Sequence, residues 1–208
     1  MRAVPRRWTQ ERRHDPYYRA AQREGLRSRA SFKLIQLQDR FHLIPVGASV
    51  LDLGASPGGW SLVARELVGK EGRVTAVDQR SFEPLEGVEF FRGRVGSPEL
   101  AARLAGHRYD AVLSDMSPSI SGNYSTDHAR SIDLVRSALA LALTVLEPRG
   151  TFVAKVFDGD MTRDLLHEAR PFFLTVTLSK PGASRGRSSE IYLIARGFRS
   201  RSTQGVEA

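Results

Sequence analysis

Ser49-Val50-Leu51-Asp52-Leu53 is a short apolar strand that runs straight into Gly54-Ala55-Ser56-Pro57-Gly58-Gly59 and then into a helical pattern over 62–68. This handover from strand through glycine turn to helix narrows the fold more than any other stretch of the chain. The same alternation continues afterwards. Residues 73–78, 88–91, 109–113 and 151–156 read as strands, and 98–105, 132–146 and 162–170 read as helices. Two further strands close the chain near 172–179 and 190–195. Before the first strand, Ala30, Leu34, Leu37 and Phe41 recur at helical spacing from about Ser28, with Lys33 flanking the stripe. Strands alternating with helices predict an α/β fold, a mainly parallel seven-stranded sheet with helices on both faces. Such sheets bind ligands beyond the carboxyl ends of their strands, so the loops after the strands are where chemistry is sought.

The first of those loops argues against two ligand classes. Its spacing, Gly-x-x-x-Gly-Gly, is neither the dinucleotide fingerprint Gly-x-Gly-x-x-Gly nor a phosphate loop, which would add Lys-Ser/Thr. An adenosine ligand without phosphates, such as S-adenosylmethionine, fits better than NAD or ATP. Asp78 ends the second strand, where a carboxylate can accept from ribose hydroxyls. Asp115, in Ser114-Asp115-Met116-Ser117-Pro118, follows the fourth strand at the same sheet edge; it faces the reacting centre or else caps a turn. Lys155 interrupts the apolar run from Phe152 to Phe157, and a charge there needs a partner or a cleft. Glu190 opens the last strand and, from the residues alone, reads as an edge residue.

Charge points to a partner. The net +8 sits at the two ends: residues 1–33 hold nine Arg and one Lys against three acids, a net +7, and residues 180–201 hold six basic residues against Glu190, a net +5. With Glu207 beyond, the middle of the chain carries −3. Basic extremities on an acidic body predict a polyanion docking surface, with solubilising tails as the bland reading. Arg7, Arg12, Arg13, Arg27, Arg29, Arg185 and Arg187 are the phosphate-binding candidates, and Trp8, Tyr17 and Tyr18 could stack on bases. Cysteine is absent and the five histidines show no metal spacing, so no metal site is expected. No apolar run approaches a membrane span or a signal peptide, which predicts a cytoplasmic protein without a membrane partner.

These residues together resemble the FtsJ/RrmJ (RlmE) ribose 2′-O-methyltransferases from about Asp15 to Arg196. The resemblance rests on Glu24-Gly25-Leu26-Arg27-Ser28-Arg29-Ala30 with Phe32-Lys33, Asp52-Leu53-Gly54 with Pro57-Gly58-Gly59-Trp60, Ser114-Asp115-Met116, Lys155-Val156-Phe157, and Ser184-Arg185 with Ser188 and Glu190, in matching order and spacing. It implies a Rossmann-like class I methyltransferase domain over 28–197, preceded by a basic arm (1–27) and followed by a disordered tail (198–208). It also implies a catalytic tetrad of Lys33, Asp115, Lys155 and Glu190, cofactor contacts from Gly58, Trp60, Asp78 and Asp115, and S-adenosylmethionine as cofactor with S-adenosylhomocysteine as product. The implied substrate is a uridine ribose of 23S rRNA in the large ribosomal subunit, acted on by a monomer. Transfer RNA is the alternative acceptor, and an RNA-binding ribosome-assembly factor is the non-enzymatic one. One position departs from the pattern: Arg94 stands where related enzymes place an Asp against the adenine amino group, and an arginine cannot accept that hydrogen bond.

Overall fold

Strand β1 (Ser49–Leu53) is flanked on both sides by parallel neighbours, which explains why it reads as a continuous apolar run. The computed structural model of the protein describes residues 28–184 and 188–199. A helix, α1 (Ala30–Phe41), precedes β1, and α2 (Gly59–Val68), β2 (Arg73–Asp78), β3 (Val88–Arg92), α3 (Pro98–Leu104) and β4 (Tyr109–Ser114) follow it. The chain then runs through α4 (Tyr124–Val145), β5 (Leu146–Phe157), α5 (Thr162–Ala169), a 3-10 turn (Arg170–Phe172), β6 (Phe173–Ser179) and β7 (Glu190–Phe198). The seven strands form one sheet in the order β3-β2-β1-β4-β5-β7-β6, parallel except for β7, which is antiparallel to both β5 and β6. The expected α/β architecture is therefore the observed one.

Strand alternation sorts side chains onto two cores. Leu51 and Leu53 of β1, Phe152, Ala154 and Val156 of β5, and Leu193 and Ala195 of β7 pack with α3, α4 and α5. Val50, Ala111, Leu113, Val153, Tyr192 and Ile194 pack on the other face against Leu34 and Leu37 of α1 and Trp60, Val63 and Ala64 of α2. Period two then places Lys155 on the α1 side with Val153, and Glu190 there with Tyr192 and Ile194. Because β7 runs against the other strands, its first residue lies at the edge where β4 and β5 finish.

Several element boundaries differ from the sequence reading: β5 starts at Leu146 instead of 151 and α2 at Gly59 instead of 62, and two more have clear causes. Helix α4 begins at Tyr124, eight residues before the apolar pattern, because Asn123 caps it by accepting from the Thr126 amide at 3.0 Å and its first turns bury polar groups. Strand β7 runs on to Phe198, whose ring packs on Phe173 at 5.6 Å between centroids. The basic arm over 1–27, the tail from 200, and Arg185 and Arg187 lie outside the described residues. No described helix is long and apolar enough to cross a membrane.

Candidate active site

The start of α1 is stapled to the start of α2. The Trp60 indole donates to the Ala30 carbonyl at 2.8 Å, and the Ser31 hydroxyl donates to the Gly59 carbonyl at 3.1 Å. A second tie holds α1 to the β6–β7 connection, where Gln36 accepts from the Ala183 amide at 2.9 Å and the Arg29 guanidinium donates to the Ala183 carbonyl. Lys33 is thereby buried and aimed at β7, where its Nζ donates to Glu190 Oε2 at 2.7 Å. Burial alone would raise the Glu190 carboxyl, but the charges of Lys33 and Lys155, with hydrogen bonds from Lys33 and Ser188, outweigh it and hold the pKa below the usual value.

A second pair lies alongside. Lys155 Nζ donates to the Asp115 carbonyl oxygen at 2.8 Å and sits 3.2 Å from Asp115 Oδ1. That same Oδ1 accepts from the Tyr192 hydroxyl at 2.9 Å. Tyr192 is the direct register partner of Lys155 across β5 and β7, and Lys33 Nζ stands 5.9 Å above its ring. Burial, then the negative charges of Asp115 and Glu190, push the Tyr192 phenol well above its ordinary pKa, so it stays a hydrogen-bond donor. All four proposed catalytic residues thus meet around one tyrosine that sequence reasoning passed over. Its signal was present: Glu190 and Tyr192 are two apart on one strand and must share a face.

Beyond the carboxyl ends of β1, β2 and β4 opens a cavity of about 480 Å³ lined by Gly54, Ser56, Asp78, Gly93, Val95, Asp115 and Met116, among others. Asp78 and Asp115 both face it, but Asp78 is already engaged: Oδ2 accepts from the Ser56 amide at 3.0 Å and Oδ1 from the Arg80 amide at 2.7 Å. A carboxylate has lone pairs beyond those two bonds, so it can still accept from hydroxyls. Gly54 has φ +76°, and a Cβ there would lie 2.5 Å from the Met116 side chain, so the loop tolerates nothing larger. Arg94 is exposed while its neighbours Gly93 and Val95 line the cavity, which leaves backbone and apolar surface at that wall. The cavity offers two carboxylates and a glycine wall, with Arg80 at its rim but no phosphate-loop Lys-Ser/Thr, and the two carboxylates suit an adenosine sulfonium.

Residues 26–198 match the FtsJ-like methyltransferase family. The chain belongs to that family. Ribosomal RNA large subunit methyltransferase E of Marinobacter nauticus is 46% identical over 197 residues, covering 93% of this chain and 95% of the relative. The protein of the same name from Archaeoglobus fulgidus is 48% identical over 189 residues, covering 90% and 97%. Among solved structures, a protein described as a ribosomal RNA methyltransferase from Plasmodium falciparum superposes with a TM-score of 0.74 at 28% identity, covering 83% of this chain and 98% of that one.

In this FtsJ-like methyltransferase, Gly58 and Trp60, expected as cofactor contacts, are not among the residues that line the cavity. Gly58, in the left-handed region at φ 98°, turns the chain into α2. Trp60 is buried and stacks on Tyr192 with ring centroids 5.6 Å apart, so it supports the tetrad from the α2 side. Under the loop, Asp52 is fully buried, accepts from the Ser61 hydroxyl at 2.6 Å and leaves its Oδ1 without a partner. Desolvation by burial raises its pKa to about 7 against the lowering effect of Ser61, with Asp115 and Asp78 adding to the rise. A larger cleft of about 1210 Å³ opens at the opposite, amino-terminal edge of the sheet, lined by residues such as Ser49, Arg73, Arg108 and Tyr109, and contains none of the tetrad. Among the described residues no three His, Cys, Asp or Glu side chains are grouped to hold a metal.

Proposed function

We propose that this methyltransferase moves a methyl group from S-adenosylmethionine to the 2′-hydroxyl of a ribose in RNA, a uridine of 23S rRNA within the large ribosomal subunit. The observation that carries the reading is the convergence of two lysine–carboxylate pairs, Lys33 with Glu190 and Lys155 with Asp115, on Tyr192 beside the Asp78 and Asp115 cavity. The relatives' names favour large-subunit rRNA as the acceptor. The same reading makes the protein a cytoplasmic monomer whose basic arm meets the RNA backbone.

Asp78, Asp115 and the glycine wall would hold S-adenosylmethionine, which would supply an electrophilic methyl on a sulfonium. The chain's own work is done on the other substrate. Its residues hold the 2′-oxygen in line behind that methyl, and alignment of this kind accounts for much of a rate enhancement. Lys155 accepts or steers the hydroxyl proton, a role worth ~10²–10⁴-fold for a well-placed base. Asp115 fixes Lys155 through both its carbonyl and its carboxylate and is itself fixed by Tyr192. Lys33 and Glu190 orient the ribose and adjacent bases. Gly58 sets the turn of the glycine loop into α2, and Trp60 packs on Tyr192.

Incubation with methyl-labelled S-adenosylmethionine and separated ribosomal subunits, rRNA or transfer RNA, followed by alkaline digestion, tests the reading. A 2′-O-methyl group blocks cleavage of its own phosphodiester, so label belongs in an alkali-resistant dinucleotide from large-subunit RNA. Label in mononucleotides would mean base methylation and would remove the proposal.

A further inference from the structure

The connection between β4 and α4 is tied back on itself beside the tetrad. The Asp127 carboxylate accepts from the Ser121 amide at 2.8 Å, the Ser121 hydroxyl at 2.7 Å and the Gly122 amide at 3.1 Å. Arg130 adds a bond to the Ser119 carbonyl at 3.3 Å. The first residue of the helix that follows, Tyr124, is therefore held on a fixed backbone, yet its side chain is 61% exposed.

That ring is anchored twice. Its hydroxyl donates to the Asp158 carbonyl, and one face lies near-parallel to the His128 ring, 12° apart with centroids at 6.3 Å. His128 is itself locked. The Met161 amide donates to Nε2 at 3.1 Å, so Nε2 carries no proton, and Nδ1–H donates to the Phe157 carbonyl at 2.9 Å. Gly159 closes over the imidazole so tightly that a Cβ there would come within 2.8 Å of three ring atoms. An aromatic ring held at its hydroxyl, flanked by a near-parallel imidazole and still 61% exposed has little freedom left to lose when a flat group lands on it.

Its position gives this meaning. Asp158, which holds the Tyr124 hydroxyl, donates its amide to the Ser189 carbonyl at 2.8 Å, and the residue before it, Phe157, is the register partner of Glu190. The Tyr124 hydroxyl is therefore fixed at the carboxyl edge of the sheet, on backbone three residues past Lys155 and one hydrogen bond from the residue before Glu190. Ile120, 65% exposed in the same connection, extends the apolar rim.

We propose that Tyr124 is a stacking platform for a base of the acceptor RNA at or next to the methylated nucleotide. The proposal rests on the RNA ribose reading above. Every base has a π-face, so a platform of this kind adds affinity and register without reading sequence.

The test measures methyl transfer to large ribosomal subunits from cells lacking this enzyme, by wild type and by Tyr124→Trp, Tyr124→Leu and Tyr124→Ala, with S-adenosylhomocysteine affinity taken for each. Loss of a base–aromatic stack raises the KM for subunits by about tenfold in the Ala and Leu variants, with cofactor affinity unchanged. Tyr124→Trp retains a KM within about twofold of wild type, since a wider ring still stacks. An unchanged KM for Tyr124→Ala, full rescue by Leu, or a parallel loss of S-adenosylhomocysteine binding overturns the platform while leaving the ribose reading intact. A wild type that labels no ribose in any RNA removes the proposed function, and the platform with it.

Discussion

The two edges of the sheet make an instructive pair. The amino-terminal edge has the larger cleft, about 1210 Å³ against about 480 Å³, and more basic side chains. Two of those cations tie loops: Arg65 donates to the Gly72 carbonyl, and Arg108 to the carbonyls of His107 and Thr144. At the carboxyl edge, Lys33 and Lys155 are 6% and 7% exposed and each meets a carboxylate. Holding two buried ammonium groups costs far more than lining an open cleft, and only convergence on a common point makes that arrangement chemically useful. Volume is a poor guide to the site here; buried, partnered charge is the better one.

The sharpest way to break this contrast is to remove one cation from each edge. Lys155→Ala should cut methyl transfer by ~10² or more while S-adenosylhomocysteine still binds, whereas Arg73→Ala, in the larger cleft, should leave turnover within about twofold. Comparable losses from both, read by label incorporation, would erase the distinction.

Asp52 sharpens the comparison from within the carboxyl edge, because it is a buried acid without a cation. Its folded pKa is raised from 3.8 to about 7, so between those values the folded protein holds a proton that the unfolded chain has released. Stability therefore falls as pH rises through that window. From pH 5 to 7.5, urea unfolding should show wild type losing roughly 2 kcal/mol relative to Asp52→Asn, which cannot ionise. Parallel curves would mean that Asp52 does not carry a proton in the folded state.

An effect of similar size is expected from the ion pair on α1. Lys33→Met strands Glu190, whose side chain is 24% exposed and still feels Lys155, so the cost should be about 1–3 kcal/mol, below the figure for a fully buried orphan charge. Adding Glu190→Leu should recover part of it. A double variant less stable than Lys33→Met alone would show that Glu190 stabilises the fold through groups other than Lys33.

How much of this could be read from the chain depended on how each residue is buried. β2 was legible to the residue because its apolar run has clear ends at Arg73 and Asp78. Lys155 was legible because a charge inside Phe152–Phe157 has few bland explanations. Tyr192 was not, since a tyrosine among Ile191, Leu193 and Ile194 reads as core until the partner of its hydroxyl is known. The first turns of α4 were missed for a related reason. Asp127, His128 and Ser131 are buried by hydrogen bonds to loop and strand backbone and present no apolar stripe. Glu190 was singled out only through family resemblance, because its partner lies 157 residues away on α1.

That separation governs how the molecule comes into being. β6 precedes β7 in the chain but touches the sheet only through it, so β6 has no place to dock until β7 has been inserted beside β5. A polypeptide emerging from the ribosome can assemble β1 to β5 as they appear, but the sheet's far edge and the meeting of Lys33 with Glu190 both wait for β7, the last of the seven strands. A chain stopped before β7 is left with an exposed β5 edge and without Glu190 and Tyr192.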